Sequence, residues 1–394
     1  MTDRFPIERI EARILDIPTI RPHKLAFGAI SRQSPVIVQL WLRHGATGFG
    51  EAATIGGPSW NEESPESIQH AIQAHLAPAL IGQDGAHFGL LLARMDRACR
   101  GNAFAKSAVE MALFDAVARS LDLPAWQLLG GKRHHSLPLA WTLASGDVGR
   151  DLEEAQLRLQ QRRHRVFKIK IGARTPAQDV AHVTQIARGL AGQATLTVDV
   201  NQAWDGSTAR RHLPALIDAG VTLIEQPVAR WNTEALATLS ATLGDRACIM
   251  ADESVCTPQD AMALARAQAS QVFSLKVAKH GGLLRTLQVA AVAEAADIAW
   301  YGGTMLETSI GSAASAHVFA TLGPQHHGCE LFGPQLLVDD LVTERMAISD
   351  FELQLPDGPG YGLNVEPAQL DRFDRALAGQ QPLHIDLGQR APTV

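Results

Sequence analysis

The sequence contains few of the features that mark a disulfide-bonded, membrane-spanning or nucleic-acid-binding protein. Its 394 residues include four cysteines and no CxxC pair, which argues against a disulfide framework or a zinc site. No segment offers the ~18 consecutive apolar residues of a membrane span. A formal net charge of -6, without a basic stripe, disfavours nucleic acid as a partner. We expect a cytoplasmic enzyme, and an anionic small molecule stays open as substrate because a lysine-lined cleft can be locally positive.

The first third of the chain has the pattern of an α+β domain. Val36–Leu42 and Ala46–Ala53 are β-rich and predict a hairpin. Helices are predicted to begin at Ser64-Pro65, where proline takes the first helical position, and to run over Ala103–Leu121. Strands followed by helices, without alternation, indicate the α+β class.

From about position 137 the pattern changes to short apolar runs that alternate with amphipathic helices, two of them opened by Thr175-Pro176 and Thr257-Pro258. Eight such runs predict a barrel of parallel strands. The strand candidates are Leu137–Leu143, Val166–Ile171, Leu196–Val200, Leu223–Glu225, Ile249–Asp252, Val272–Val277, Ile298–Tyr301 and Cys329–Phe332. The tail alternates like one more strand over Ile348–Leu355 and then predicts a helix near Pro367–Leu377, which we expect to return to the first domain.

Five polar residues fall where five consecutive strands of this series should end. They are Lys170, Asp199, Glu225, Asp252 and Lys276, separated by 29, 26, 27 and 24 positions, about one strand-plus-helix unit each time. A single acid at a strand end is more often a helix cap or a surface charge. Three in succession converge on one rim, where they would repel each other unless a cation sat among them. Oxygen ligands alone suit Mg²⁺ or Mn²⁺ better than zinc.

The lysines of this rim predict proton transfer. Side chains alternate along a strand, so Lys168 and Lys170 can both face the barrel interior, whereas the alternative is an edge strand with lysines in water. A neighbouring like charge lowers the pKa of a lysine, and Lys168 could do so for Lys170. Lys276 could simply pair with Asp252, or it could also face a substrate. Glu330, 54 positions after Lys276, returns to the same rim.

Taken together, these motifs resemble the enolase superfamily, in its muconate-lactonizing branch, over nearly the whole chain. The fold that the resemblance implies is of the α/β class, a (β/α)7β-type modified TIM barrel with an α+β capping domain built from the N-terminus and the C-terminal tail. The expected divisions are residues 1–131 for the N-terminal capping domain, 132–345 for the catalytic barrel and 346–394 for the C-terminal segment that returns to the capping domain. The stretches that carry the resemblance are Gly130-Gly131, Trp141–Asp147, Lys168–Lys170, Val198–Trp204, Ile224–Pro227, Ala251–Ser254, Leu275–Gly282, Gly302–Glu307 and Glu330–Pro334.

The resemblance also implies a role for each site residue. Asp199, Glu225 and Asp252 would be the ligands of Mn²⁺ or Mg²⁺, with Asn201 close by. On the same view Lys170 would be the acid/base lysine and Lys168 its electrostatic partner. Lys276 would be the lysine across the barrel, and Glu330 the polar group from the last strand. A loop of the capping domain would touch the substrate through Ile55 and Trp60.

The reaction implied is the metal-dependent lactonization of cis,cis-muconate, a small dicarboxylate, through an enediolate, as in the degradation of catechol. Members of this branch commonly assemble as homo-oligomers, often octamers. Trp60 and Ser274 also occur in relatives that act on chloromuconates, which are therefore the alternative substrates. The residues that favour unsubstituted muconate are Ile55, Lys279, Glu307 and Phe332.

Two further alternatives remain. Dipeptide epimerases of this superfamily carry an Asp-x-Asp pair on the last barrel strand, where this chain has Gly328-Cys329-Glu330, so an epimerase is the weaker prediction. A non-catalytic binding protein of the same fold is also conceivable, although the retained lysines and carboxylates argue against it.

Overall fold

The structure is a computed structural model, and it describes residues 4–26, 28–380 and 382. Parts of two expected segments lie outside these residues: positions 1–3 and 27 of the N-terminal domain, and positions 381 and 383–394 of the C-terminal segment. In the described part of the chain, no helix combines the length and the apolar character that crossing a membrane requires.

A curved parallel sheet forms the centre of the molecule. Its seven strands are ordered as in the sequence, so each inner strand is hydrogen-bonded to the strand before it and the strand after it, and each end strand to one of them. The strands are Ala140–Leu143, Val166–Lys170, Thr195–Asp199, Val221–Glu225, Cys248–Ala251, Val272–Leu275 and Ala299–Gly302. Their apolar side chains, such as Phe167 and Ile169, are fully buried against the surrounding helices. The expected alternation of strand and helix is confirmed.

The barrel closes through one residue. Cys329 forms parallel bridges to both Leu139 and Gly302, which connects the last strand back to the first. The eighth predicted strand, Cys329–Phe332, is therefore wrong as a strand, because the chain turns after Glu330 and enters the short helix Gly333–Leu336.

The predicted first strand, Leu137–Leu143, is divided in the structure. Ser136–Pro138 pairs antiparallel with Glu352–Gln354 outside the barrel sheet, whereas Ala140–Leu143 belongs to the barrel. The predicted strand Ile348–Leu355 is divided as well, into Ile348–Ser349 and Glu352–Gln354, which pair as a hairpin. The turn between them places two residues at positive φ, Asp350 at 52° and Phe351 at 68°, and that reversal breaks the alternation.

Helices cover the outside of the barrel, and the two predicted threonine-proline starts are confirmed. Thr257 Oγ1 accepts the N–H of Asp260 at 3.1 Å, and the Asp260 carboxylate accepts the N–H of Thr257 at 2.9 Å, so each closes a backbone donor of the first turn. The helices are Val148–Gln160, Pro176–Gly189, Gly206–Asp218, Thr233–Leu243, Pro258–Arg266, Val277–His280, Leu283–Ala295 and Ser309–Phe319.

The N-terminal region contains a three-stranded antiparallel sheet and a bundle of helices. The predicted hairpin is confirmed as Val36–Leu42 paired with Thr47–Ala52. The strand Ile7–Ile14, which the sequence analysis did not assign, pairs with Val36–Leu42. A second hairpin joins Ile17–Leu25 to Gly28–Gln33. The helical segments are Gly57–Ser59, Pro65–Ala71, Ile72–Leu76, Ala77–Leu80, Phe88–Ala98, Ala103–Ser120 and Ala125–Leu128.

The helix Ala103–Ser120 is buried along almost its whole length and lies directly on the hairpin. Two glycines permit this approach. A side chain at Gly48 would place its Cβ 2.1 Å from the carbonyl oxygen of Ala112, and one at Gly50 would place it 2.0 Å from that of Ala108.

The end of the described chain packs on the N-terminal region. The helices Pro367–Phe373 and Arg375–Ala378 follow the Pro/Gly-rich segment 356–362. The guanidinium of Arg375 binds the buried carboxylate of Asp16 through two contacts of 2.8 Å. Burial tends to raise the pKa of Asp16, but Arg375 and Ser34 outweigh it and hold the pKa below its usual value.

Candidate active site

The strand Val166–Lys170 points two lysines into the barrel. It has hydrogen-bonded neighbours on both sides, and Lys168 is 2% exposed, so the alternative of an edge strand with lysines in water is wrong. Lys168 Nζ donates to Glu225 at 2.5 Å and to Glu330 at 2.7 Å. Burial alone would lower the pKa of Lys168, but these carboxylates outweigh it and raise the pKa well above the ordinary value.

Lys170 lies two residues after Lys168 on the same strand, nearer the rim. Its Nζ donates to Asp199 Oδ2 at 2.5 Å and to Asn201 Oδ1 at 3.2 Å. Its side chain is 11% exposed, so it is the most accessible of the rim lysines that contact these acids. Lys170 can therefore meet a ligand from the mouth of the barrel.

Two further lysines contact a single carboxylate at the next part of the rim. Lys276 Nζ lies 2.6 Å from Asp252 Oδ2, and Lys279 Nζ lies 2.7 Å from Asp252 Oδ1. Burial would raise the pKa of Asp252, but these two ammonium groups outweigh it and lower the pKa strongly. The ion-pair interpretation of Lys276 is thus observed, and its ammonium also lines the cavity described below.

The three expected carboxylates come together on adjacent strands. Asp199 and Glu225 are register partners, and Asp252 follows the next strand, Cys248–Ala251. All three are at most 1% exposed. Burial, followed by the charge of Asp199, raises the pKa of Glu225 well above its usual value. These acids repel one another and require positive charge nearby.

The donor set fits a hard divalent cation in its chemistry. Within the described residues, no group of three or more His, Cys, Asp or Glu side chains is arranged to hold a metal ion, because Asp199, Glu225 and Asp252 contact lysine ammonium groups instead. Glu225 Oε1 is nevertheless buried without a hydrogen-bond partner. Oxygen-only ligands and one open carboxylate oxygen suit Mg²⁺ or Mn²⁺, and binding would require the lysines to give way.

Asn201 and Glu330 flank this set. Asn201 follows Asp199 at a φ of 43°, donates its N–H to Asp199 Oδ1 at 2.8 Å, and turns its amide toward Glu253. Burial, with the charges of Asp252 and Asp199, raises the pKa of Glu253 to about 7. Glu330 accepts from Thr142 Oγ1 at 3.1 Å, so the residue after the closing bridge is fixed by the first barrel strand.

A loop from the N-terminal region covers the rim. Its glycines, Gly56 at a φ of 73° and Gly57 at 64°, turn the chain so that the Trp60 ring lies 4.7 Å from Lys276 Nζ. The carboxylate of Glu63 anchors the loop by accepting the N–H groups of Phe104 and Ala105 at the start of the long helix, at 3.0 and 3.2 Å.

The rim and the loop enclose a small space of about 10 Å³, which is no more than one water molecule needs. It is lined by seven of the ten expected site residues, namely Ile55, Trp60, Lys168, Lys170, Asn201, Lys276 and Glu330. The three carboxylates Asp199, Glu225 and Asp252 lie behind these lysines.

Sequence reasoning missed several residues of this site. His23 and Leu25 reach it from the N-terminal hairpin, and Thr304 and Leu306 reach it from the turn after the last barrel strand. Burial and the nearby Lys170 hold the pKa of His23 well below its usual value, so its ring is neutral. The hairpin lies more than a hundred positions before the barrel lysines, and no local pattern links them.

Comparison with known families matches both parts of the chain. Residues 9–130 match the mandelate racemase / muconate lactonizing enzyme N-terminal domain, and residues 150–369 match the enolase C-terminal domain-like family. The matched ranges include every expected site residue.

Individual relatives extend over nearly the full chain. Muconate cycloisomerase 1 of Pseudomonas putida is 50% identical over 371 residues, covering 94% of this chain and 98% of the relative. A chloromuconate cycloisomerase of Pseudomonas putida is 46% identical over 370 residues, covering 94% and 99%. The crystal structure of muconate lactonizing enzyme from Pseudomonas fluorescens complexed with muconolactone superposes with a TM-score of 0.92 at 48% identity, covering 94% of this chain and 100% of that one.

Proposed function

The chain belongs to the mandelate racemase / muconate lactonizing enzyme family of the enolase superfamily, and we propose that it is a muconate cycloisomerase that converts cis,cis-muconate to muconolactone. The observation that carries the proposal is the rim itself. Lys170, the most accessible rim lysine, lies beside a buried set of carboxylates, under a loop that covers the site.

The metal would be held by Asp199, Glu225 and Asp252, and we propose Mn²⁺ or Mg²⁺ because all donor atoms are oxygens. When bound, a divalent cation supplies positive charge where a carboxylate of the substrate gains electron density. Asn201 would keep Asp199 in place through its backbone N–H. Glu253 adds a further buried acid behind this set.

Residues of this chain would carry out the proton transfer. One carboxylate oxygen of muconate adds to the conjugated diene and forms the ring C–O bond, while the displaced electron pair moves toward the other carboxylate. Lys170 donates a proton from Nζ to the α-carbon and completes the lactone; in the reverse direction it removes that proton. Lys168, held by Glu225 and Glu330, would keep positive charge beside Lys170, and Lys276 would stand on the opposite side of the substrate.

Chloromuconates are the second candidate substrates, and Trp60 is the observation that favours them. The indole ring lies 4.7 Å from Lys276 Nζ, and Ser274, two residues before Lys276, has a buried hydroxyl without a hydrogen-bond partner. Tryptophan and serine at these two positions also occur in chloromuconate relatives. Ile55, Glu307 and Phe332 favour the unsubstituted substrate, which we propose as the preferred one.

We also propose that the enzyme works in the cytoplasm as a homo-oligomer, as an octamer by the resemblance to its branch. Light scattering coupled to gel filtration would give the mass of the assembly. A monomer mass near 42.4 kDa would contradict the proposed assembly without affecting the reaction.

The reaction is tested by the ultraviolet absorbance of the muconate diene. We expect the absorbance to fall with added Mn²⁺ or Mg²⁺ and to remain constant after chelation. Parallel assays with 2- and 3-chloromuconate would rank the substrates by kcat/KM. A metal-loaded protein that consumes none of these dienes would contradict the proposed function and favour a binding role.

A further inference from the structure

A second cavity adjoins the candidate active site. It has a volume of about 230 Å³, compared with about 10 Å³ for the space under the Trp60 loop. Lys170 and Leu25 line both spaces and form the wall between them. The larger cavity is therefore the space beside the proposed acid/base lysine that is large enough for a six-carbon ligand.

The outer part of this cavity carries two exposed cations, Lys24 and Arg174. They come from different domains but meet at Gly146. A Cβ placed on Gly146 would lie 3.0 Å from Lys24 Nζ and 3.4 Å from Arg174 Nη2, and Arg174 Nη2 donates to the Gly146 carbonyl. Within the described residues neither cation forms a salt bridge, and the one acid that lines the cavity, Asp179, accepts the N–H of Gly172 at 2.8 Å.

Two like charges held close together favour an anion between them. The chain as a whole has a net charge of -6 and repels a dianion, so a local cluster of cations is needed to draw one in. Lys24 and Arg174 at the opening, with Lys170 at the inner wall, give a cavity with three cations and one carboxylate. This charge pattern matches a ligand with a carboxylate at each end.

We propose that this cavity is a vestibule that binds the dicarboxylate substrate before it reaches the rim. One carboxylate would lie between Lys24 and Arg174, and the other would approach Lys170. Because the Leu25 side chain lines both spaces, its movement would join them. The inference rests on the proposed function, since it concerns entry of that substrate.

Adipate, the saturated six-carbon dicarboxylate, tests the vestibule without turnover. Titration calorimetry on the metal-loaded protein would give its dissociation constant in low and high salt. We expect Arg174→Gln and Lys24→Gln each to weaken binding about three- to fivefold at low ionic strength, and the double variant to weaken it more, because each removes a full charge near a dianion. The loss should shrink at ~0.5 M salt, where screening is strong.

The controls separate charge from structure. Arg174→Lys keeps the charge and should bind like the wild type. Arg188→Gln removes an exposed arginine at the far end of the helix that Arg174 precedes, about 20 Å away, and should also bind like the wild type. Hexanoate, with one carboxylate, should show a smaller loss than adipate.

In the diene assay the same variants should lose kcat/KM rather than kcat, since the vestibule acts before the chemistry. Wild-type affinity for adipate in the double variant at low salt would overturn the vestibule even if the enzyme consumed muconate. Charge-dependent adipate binding without loss of the diene would instead support the vestibule and contradict the proposed reaction.

Discussion

Lys170 combines two properties that a proton donor to carbon requires. Its ammonium is held by Asp199 at 2.5 Å, so its position is fixed, yet its side chain keeps 11% exposure and lies on the wall of two cavities. Lys168 and Lys276 are more deeply enclosed by acids. A substrate can therefore contact Lys170 without breaking a fully buried ion pair.

We expect Lys170→Ala to reduce kcat by about 10²–10⁴-fold, the usual contribution of a general acid or base. Metal binding should change little, because Asp199, Glu225 and Asp252 remain. Equilibrium dialysis with Mn²⁺ and the diene assay measure the two properties on the same sample. Lys132→Ala, at a lysine that pairs with Asp357 away from the rim, is the control. Turnover retained in Lys170→Ala would assign the proton transfer to another group.

At the residue scale, the sequence predicts the side-chain directions that strand geometry determines. The alternation in Val166–Lys170 was sufficient to turn Lys168 and Lys170 inward, because strand side chains repeat every second residue. It did not show that the ammonium of Lys168 is shared between Glu225 and Glu330. That arrangement depends on strands that meet only in the folded barrel.

At the first turns of two barrel helices lie carboxylates from the N-terminal region. Glu51 accepts the N–H of Thr308 at 2.9 Å and that of Gly311 at 2.8 Å, at the start of Ser309–Phe319. The carboxylate of Glu110 lies at the start of Leu283–Ala295, where a Cβ on Gly282 would be 1.8 Å from it. These contacts join the N-terminal region to the barrel.

These two glutamates predict a pH-dependent stability. Burial raises the pKa of Glu51 to about 8 and that of Glu110 to about 7, from an ordinary value of 4.5. Between the ordinary pKa and the raised pKa of each glutamate, the folded state holds a proton that the unfolded state has lost. The stability from each group is therefore complete below about pH 4.5 and is lost as the pH rises, toward 7 for Glu110 and toward 8 for Glu51, by up to about 1.4 kcal/mol per pH unit and group.

Urea unfolding at several pH values between 5 and 9 measures this slope. We expect Glu51→Gln to be less stable than the wild type at low pH, since it loses part of the helix-start contacts, but to show a shallower decline with pH. Glu8→Gln, at an exposed position on Ile7–Ile14, should retain the wild-type slope. Equal slopes for the wild type and Glu51→Gln would contradict a protonated Glu51 in the folded protein.

Elements with strong end signals were predicted well, and elements defined by distant partners were not. Threonine-proline starts and the Ser64 cap place helix beginnings because a proline ring and a hydroxyl act locally. The segment Cys329–Phe332 has the composition of a strand, but Pro334 starts a helix and leaves one bridged residue. The N-terminal strand Ile7–Ile14 mixes charged and apolar residues, so its composition did not reveal it.

At the scale of the whole molecule, the candidate active site belongs to both domains. The barrel contributes the lysines and acids, and the N-terminal region contributes His23, Ile55 and Trp60. The alternating pattern predicted the barrel because each strand and helix lies next to its sequence neighbours. The pairing of Ser136–Pro138 with Glu352–Gln354 joins segments more than two hundred positions apart, and local patterns do not encode it.

The charges of the rim predict how the protein responds to metal removal. Four ammonium groups face four carboxylates, so the charges of these eight groups cancel without a metal. The lysines are Lys168, Lys170, Lys276 and Lys279, and the acids are Asp199, Glu225, Asp252 and Glu330. We expect chelation to abolish turnover while the protein stays folded. An ion present at 100 times its Kd adds about 2.7 kcal/mol to the stability, which corresponds to a Tm change of roughly 3 °C for a chain of this size.

Circular dichroism melts before and after chelation, and again after Mn²⁺ is restored, would measure that change. Recovery of both Tm and turnover on restoring Mn²⁺ is the control for irreversible damage. A protein that unfolds at room temperature on chelation would show that the lysines do not compensate the buried acids.

The single bridged residue that closes the barrel has a consequence for local motion. Cys329 is bridged on both sides, but this pairing is one residue long, whereas Val166–Lys170 is paired along its whole length. The amide hydrogens of Cys329 and Glu330 should therefore exchange with deuterium through small openings that leave the neighbouring strands intact. Glu330 would swing with each such opening and release Lys168 on one side while Glu225 still holds it on the other. The one-residue pairing that closes the barrel is therefore where we expect the acid network to loosen without global unfolding.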